Sequence, residues 1–382
     1  MSLREKIVNE IREHGPIPFS RYMELCLYDP GLGYYSRNAE QFGKAGDFYT
    51  SSDVHAVFGR LLAWQFDEMW RVLDRPEQIE ILELGPGRGL FAQDVLDWSE
   101  KKFPQFFAAL HYSLVEQSPA LQVRLQVTLD RHFSSHKVSL PQRLNPSFPG
   151  GPVLQRALAP EVPLVIFTNE FFDALPVEVL SSQGVLRVSE KEGCFVETWV
   201  PASAAEIDFV DRYSVQPDLG ERVEIPLLAQ HYMSAIADAL GRGFAVVIDY
   251  GYTQREQRAG RHRNTLTAYR QHSVSDNPYE APGEQDITAH VNFTALTAAA
   301  EANGMRAQPL VTQSQFLMGI GENNQFADAF EDCRLPQEHA KVALQLKHLV
   351  TPAGVGETFQ VLVCGRGVEA ERLSGLGFGK SR

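Results

Sequence analysis

The stretch Ile79-Glu80-Ile81-Leu82-Glu83-Leu84-Gly85-Pro86-Gly87-Arg88-Gly89-Leu90 decides the fold. A mostly apolar run leads directly into three closely spaced glycines, and these open the apolar-periodic stretch Leu90 to Trp98. The run reads as a buried strand and the stretch as a helix, so the glycines occupy the turn of a strand–turn–helix unit. Glycine there permits unusual backbone angles and lets a ligand approach the main chain, while the helix N-terminus presents unpaired N–H groups. A dinucleotide fingerprint needs GxGxxG. Here the third glycine comes one place early and Leu90 stands at the required position, which argues against NAD.

Working outward, Glu83 lies just before the turn, where a carboxylate reaches an ammonium but would repel a pyrophosphate. The expected ligand is therefore a nucleoside bearing an amino acid, held by Glu83, Gly85, Gly87 and Gly89. A second strand, Tyr112 to Glu116, ends in a carboxylate placed to accept hydrogen bonds from two ribose hydroxyls, with Gln117 and Ser118 beside it. Leu164–Thr168, Phe244–Asp249 and Phe359–Cys364 repeat the short apolar pattern, and a further strand is expected between Val138 and Leu158. Strands alternating with helical segments predict an α/β fold with a mostly parallel sheet and helices on both faces.

The remaining segments surround this core. Residues 1–75 are expected to be a helical and loop extension covering the site, with helices from Leu3 to His14 and Val54 to Leu73. Residues 76–176 and 243–368 form the ligand-binding core, 177–242 an inserted α+β subdomain that begins with an antiparallel ribbon, and 369–382 a flexible tail. The polar excursion Thr253–Gly283 is too long for a plain connection and is expected near a site.

A second constellation is Thr168-Asn169-Glu170-Phe171-Phe172-Asp173-Ala174-Leu175-Pro176. It follows a strand, and ligands of open parallel sheets sit beyond the C-terminal strand ends, so it should face the same crevice as the glycine turn. Glu170 and Asp173 would share a face if the segment is helical. If the nucleoside bearing an amino acid is a sulfonium methyl donor, two carboxylates near it suit a guanidinium, which they grip and orient, and one of them takes the proton released on alkylation. Glu170, Asp173 and Asn169 are the expected catalytic group, with Asn169 also on the cofactor. Phe171, Asp47, Phe48, Asp249 and Tyr250 are the expected substrate wall. The bland alternative is helix capping by Asn169, with solvated carboxylates in the first turn.

The formal charge of −13 disfavours nonspecific binding to nucleic acid, whose phosphates are held by Lys and Arg. The four cysteines lack CxxC spacing, and His262, His272 and His290 lack metal-ligand spacing, so no metal is expected. No apolar run has the length of a membrane span, and the first ten residues lack the apolar core of a signal peptide, so a cytoplasmic protein is expected.

The chain resembles the MidA-like methyltransferases, relatives of a mitochondrial complex I assembly factor that methylates a protein arginine. The resemblance rests on Tyr28-Asp29-Pro30-Gly31-Leu32-Gly33-Tyr34-Tyr35, Gly46-Asp47-Phe48, the Glu83–Gly89 turn, Asn169–Val177, Asp249-Tyr250-Gly251 and Asp286–Phe293. It implies a class I, Rossmann-like fold with a seven-stranded sheet, S-adenosyl-L-methionine as cofactor and protein arginine as acceptor. A respiratory complex I subunit is the implied partner, and a homodimer is left open. Two other readings stand beside it: an assembly chaperone with the cofactor as structural ligand, and a small-molecule methyltransferase.

Overall fold

The computed structural model describes residues 1–36, 56–141, 154, 156–270, 273–275, 277–322, 325–352 and 354–378. In the N-terminal part, α1 (Leu3–His14) precedes the short β1 (Ile17–Pro18) and α2 (Phe19–Tyr28). A capping box starts α1: the Ser2 hydroxyl accepts the Glu5 N–H, and the Glu5 carboxylate accepts the Ser2 N–H.

The central sheet is built from β2 (Ile79–Leu84), β3 (Leu110–Val115), β4 (Val138–Ser139), β5 (Leu164–Asn169), β10 (Gly243–Tyr252) and β17 (Phe359–Arg366). Its order is β15-β17-β10-β5-β2-β3-β4, where β15 is Arg306–Ala307, and two further short strands, β14 (Val291–Asn292) and β16 (Val311–Thr312), pair with β10 and β17. Among the described residues the sheet is mixed and has nine strands, where a mostly parallel sheet of seven was expected. β4, β3, β2, β5 and β10 run parallel, whereas β17 pairs antiparallel with β10. The parallel strands are buried almost throughout, as strands covered by helices on both faces must be.

On one face the helices Ala56–Val72 and Leu90–Lys102 pack in the larger core. There Phe91 stacks on Phe167 of β5 at 4.5 Å and 16°. Such a pair contributes about 1 kcal/mol beyond its area, and it seats the first turn of the Leu90–Lys102 helix over the strand ends. On the other face Leu227–Ala239 and Phe293–Ala302 bury Met233, Ile236, Leu296 and Ala300.

The second sheet has the order β1-β7-β6-β9, with β8 on β7. It joins β6 (Glu178–Ser181), β7 (Gly184–Lys191), β8 (Cys194–Val200) and β9 (Arg222–Ile225) to β1 from the N-terminal part. A three-stranded sheet, β12-β11-β13, comprises β11 (Thr267–Arg270), β12 (Ser273–Ser275) and β13 (Asp286–Thr288). Leu3, Ile7, Ile11, Phe19 and Met23 share one buried cluster with Val179, Leu186, Ala268 and Ile287. Thus α1, α2, the ribbon and the excursion pack together as a cap. By contrast Ala56–Val72, expected within the N-terminal extension, packs on the central sheet, and Leu227–Ala239 returns to that sheet from the insertion, as the sequence of Ile225–Leu240 suggests, because their apolar faces complete its two cores.

The expected flexible tail is also corrected at residues 370–376. Ala370, Leu373 and Leu376 are buried in the larger core, the Ser374 N–H donates to Glu68 and the Gly375 N–H to Gln65. Apolar side chains spaced three apart in single helical turns give that segment something to bury.

Candidate active site

The glycine turn lies where β2 ends. Gly85, Gly87 and Gly89 have φ of +69°, +54° and +78°, a region that side chains with a Cβ disfavour. Their surroundings separate their roles. A Cβ on Gly89 would come within 2.6 Å of Leu125, and Gly89 is the left-handed N-cap of the following helix, so it serves packing and chain direction. A Cβ on Gly85 would meet Phe171 at 3.0 Å. Of the three, Gly87 alone has no atom of the described residues within 4 Å of where its Cβ would stand, so among the described residues its main chain is open to approach.

Two carboxylates flank the turn. Glu83 is buried and accepts the Tyr112 hydroxyl at 2.9 Å; burial pushes its pKa up to about 8, and the nearby Glu116 adds to the rise. Glu116 accepts the Ser118 N–H at 2.9 Å and bonds the N–H groups of Gln117 and Gly87, while burial pushes it up to about 7. Among the described residues neither forms an ion pair. Buried carboxylates in this state gain most from a cation brought in by a ligand. The Gln117 side chain bonds the Tyr232 hydroxyl, and the Tyr232 ring stands edge-on to Phe171 at 5.2 Å.

The segment after β5 is a turn rather than the helix that would have put Glu170 and Asp173 on one face. Glu170 has φ of +51°, and the Asp249 Oδ2 accepts the N–H groups of Phe171, Phe172 and Asp173 at 3.2, 3.0 and 3.3 Å. Asp249, expected to touch substrate, is instead fully buried and ties this turn to β10; burial, with Asp173 and Glu170 nearby, holds its pKa well above the usual range. Asp249 and Tyr250 both lie within β10, which runs on to Tyr252, beyond the expected strand Phe244–Asp249. Asn169 donates through Nδ2 to Glu170 at 3.0 Å.

Asp173 is buried and accepts the Tyr250 hydroxyl, which also bonds Thr288. Burial pushes the Asp173 pKa up to about 6, and the Tyr250 bond holds it down against that. Its other oxygen, Oδ1, has no partner among the described residues, nor do Asn169 Oδ1 and Thr168 Oγ1. Three orphaned buried polar atoms at one strand end are an uncompensated cost unless a ligand meets them. Together with the open approach at Gly87, they fit a cofactor carrying polar groups and positive charge.

Sequence reasoning missed several residues of this site. Tyr28 donates to the Ala174 carbonyl at 2.9 Å, Tyr35 donates to Asp286 at 2.8 Å, and Ala289 N–H donates to the Asp173 carbonyl at 2.9 Å. The tyrosines of 28–35 were a visible signal, but only the cap brings them to Asp173. His290 and His262, which lack metal-ligand spacing in the sequence, approach through their Nδ1 atoms at 3.1 Å, and His290 stands edge-on to Tyr250. Among the described residues no group of three or more His, Cys, Asp or Glu could hold a metal ion. Asp47 and Phe48 lie outside the described residues.

A profile of an S-adenosyl-L-methionine-dependent methyltransferase family matches residues 61–311. The chain belongs to this family. It is similar to the mitochondrial protein arginine methyltransferase NDUFAF7 homolog of Drosophila melanogaster, with 28% identity over 97% of this chain and 86% of that one. The mitochondrial protein arginine methyltransferase NDUFAF7 of Homo sapiens is 28% identical over 92% of this chain and 81% of its own. Among solved structures, a Burkholderia thailandensis protein bound to S-adenosyl-homocysteine superposes with a TM-score of 0.81 at 28% identity, covering 98% of this chain and 94% of that one.

The chain therefore has an α/β methyltransferase fold and is an S-adenosyl-L-methionine-dependent enzyme. This bears out the resemblance read from the glycine turn and the Asn169–Val177 block. The cytoplasmic expectation is overturned, because these curated relatives are mitochondrial proteins. Residues 3–14 are a folded amphipathic helix of the cap, and their composition reports that packing rather than a cellular address.

Proposed function

We propose that the chain transfers a methyl group to arginine of a partner protein, as the names of its relatives say of them. The observation that carries this reading is Asp173: a buried carboxylate with one oxygen on Tyr250 and the other without a partner among the described residues. When bound, S-adenosyl-L-methionine supplies a methyl carbon already activated on sulfur. Gly87, Glu83, Glu116, Gln117 and Asn169 are the residues that would hold it, with Gly85 and Gly89 shaping the turn.

On the acceptor side Asp173 takes a guanidinium N–H at Oδ1 and orients its nitrogen, which is the main contribution of a site whose electrophile is already reactive. The nitrogen gains a carbon and must lose a proton; that proton passes to Asp173 Oδ1, whose elevated pKa makes it an effective acceptor near neutral pH. Tyr250 keeps the carboxylate in place, Phe171 forms the wall toward the glycine turn, and Glu170 adds negative charge at the strand end. Asp249 contributes indirectly by holding the 171–173 backbone.

We extend the reading in two respects. The acceptor is a folded or assembling partner, with a respiratory complex I subunit the class that the MidA-like resemblance implies. The cap of residues 1–36, the ribbon and the excursion forms the surface on which that partner docks. The test is transfer of labelled methyl from S-adenosyl-L-methionine to candidate partners, followed by amino-acid analysis. Label on arginine that disappears with Asp173→Asn supports the proposal; label on free metabolites alone would refute it.

A further inference from the structure

We propose that Tyr28 is a positioning residue for the acceptor carboxylate, through which the N-terminal cap holds the Asp173 turn on the side that Asp249 does not reach. What Asp173 does there rests on the arginine reading above; how it is held does not. Two anchors meet at this residue. Ahead of it, Asp249 Oδ2 takes the N–H groups of Phe171, Phe172 and Asp173. Beyond it, the Tyr28 hydroxyl donates to the Ala174 carbonyl at 2.9 Å across 146 positions of sequence, and the Ala174 N–H bonds the Asp173 carboxylate and favours its ionised form. Residue 174 is thus held by its carbonyl while its N–H serves the carboxylate, so Tyr28 sets where that N–H stands.

Tyr28 is the last residue of α2, and the chain is fixed on both sides of it. Phe19, Tyr22, Met23 and Cys26 bury α2 in one cluster with the ribbon and the excursion. On the other side Asp29 pairs with Lys6, its carboxylate accepts the Gly31 and Leu32 N–H groups, and its carbonyl accepts the Gly33 N–H. The chain folds back so closely here that a Cβ on Gly33 would stand 2.5 Å from the Asp29 nitrogen.

The ring therefore reaches Ala174 from a packed cap and is ordered before substrate arrives, which lowers the ordering cost of binding. Burial holds the Tyr28 hydroxyl well above its ordinary pKa, with Tyr232, Asp286, Asp173 and Glu116 adding to the rise, so it remains a donor at neutral pH. The same side chain thus feels the carboxylate on the cofactor side, Glu116, and the one on the acceptor side, Asp173. A partner that docks on the cap bears on Asp173 through Tyr28.

The test compares two substitutions in α2 that each take one hydroxyl from a backbone carbonyl. Tyr28→Phe releases the Ala174 carbonyl; Tyr22→Phe releases the Pro278 carbonyl, which Tyr22 meets at 2.9 Å in the excursion. The full chain, with aspartate isotope-labelled at Cγ, is titrated by NMR, and the Asp173 signal is assigned by its loss in Asp173→Asn. Its midpoint in the unaltered protein is expected at about 6. Tyr28→Phe should move it up by about half a unit, because a weaker hydrogen bond to the ionised form raises a carboxyl pKa, whereas Tyr22→Phe should leave it in place. The other titratable groups around Asp173 are Glu170 in its own turn, Tyr250 and Asp249 of β10, Tyr35, and Tyr269 and Asp286 of the excursion. The tyrosines are held above their ordinary values and stay protonated through this range, and the aspartates keep signals of their own. Should Tyr28→Phe not fold, the unaltered protein with tyrosine labelled at Cζ decides, since the Tyr28 signal should follow the Asp173 midpoint. A midpoint unmoved by Tyr28→Phe, one moved equally by Tyr22→Phe, or a Tyr28 signal flat through the titration would overturn the positioning role. Failure of the arginine reading shows elsewhere, as labelled methyl transfer that survives Asp173→Asn.

Discussion

The Asp249 carboxylate accepts the Phe172 N–H at 3.0 Å, and the same oxygen takes the N–H groups on either side. One buried side chain on β10 thus holds the turn after β5 that carries Asp173. Replacing Asp249 with Ala strands three backbone donors, and at about 1 kcal/mol for each, a loss of about 3 kcal/mol is expected. Asn, which retains an acceptor oxygen, should cost less. Urea denaturation measures both, and an Ala variant as stable as the parent would show that the turn does not need this anchor.

The glycines of the turn should separate by function. Gly87→Val places a side chain in the open approach and is expected to abolish S-adenosyl-homocysteine binding, with a stability cost of about 1–2 kcal/mol from the left-handed backbone. Gly89→Val drives a side chain into Leu125 and should destabilise the fold further, by overpacking as well as strain. Calorimetric titration beside thermal melting distinguishes the two. Retained cofactor affinity in a folded Gly87→Val would remove Gly87 from the site.

Glu83 and Glu116 give the protein without cofactor a pH signature. Their pKa values are raised to about 8 and about 7, above the ordinary carboxylate value of 4.5, so the folded state binds more protons than the unfolded state between these limits. The contribution of these groups to stability is fully present below pH 4.5 and is lost as pH rises toward 8. The melting temperature should fall across pH 5 to 8, and less steeply in Glu83→Gln. Cofactor binding brings an ammonium and should release protons, seen as a dependence of the titration enthalpy on buffer ionisation enthalpy. No such dependence would mean that neither carboxylate titrates on binding.

In the proposed mechanism Asp173 and Tyr250 set the pH dependence of turnover. With Asp173 raised to about 6, kcat/KM should rise with pH through that region as the carboxylate ionises. Tyr250→Phe removes the hydrogen bond that holds the pKa down, so this acidic limb should move to higher pH. Asp173→Asn should lower kcat by about 100-fold or more with cofactor affinity preserved. A limb that stays fixed in Tyr250→Phe would mean that another group titrates.

By itself the sequence determined the strand-to-helix glycine turn, the class of cofactor and the positions of the long strands, because each depends on local pattern: an apolar run, three glycines and a helix in direct succession. It also pointed to Asn169, Glu170 and Asp173 through their place beyond a strand. Only the tertiary structure decided what these residues do. Glu170 and Asp173 part company because the Asp249 carboxylate, contributed by a distant strand, holds their segment as a turn. Gly89 differs from Gly87 because Leu125 packs against it, whereas no atom of the described residues comes within 4 Å of a Cβ on Gly87. Tyr28 reaches the Asp173 turn only because residues 3–34 bury their apolar faces in one cluster with residues 177–188 and 268–289. Local pattern carries no information about which distant segment will supply a hydrogen-bond partner, and in this site the distant segments supply most of them.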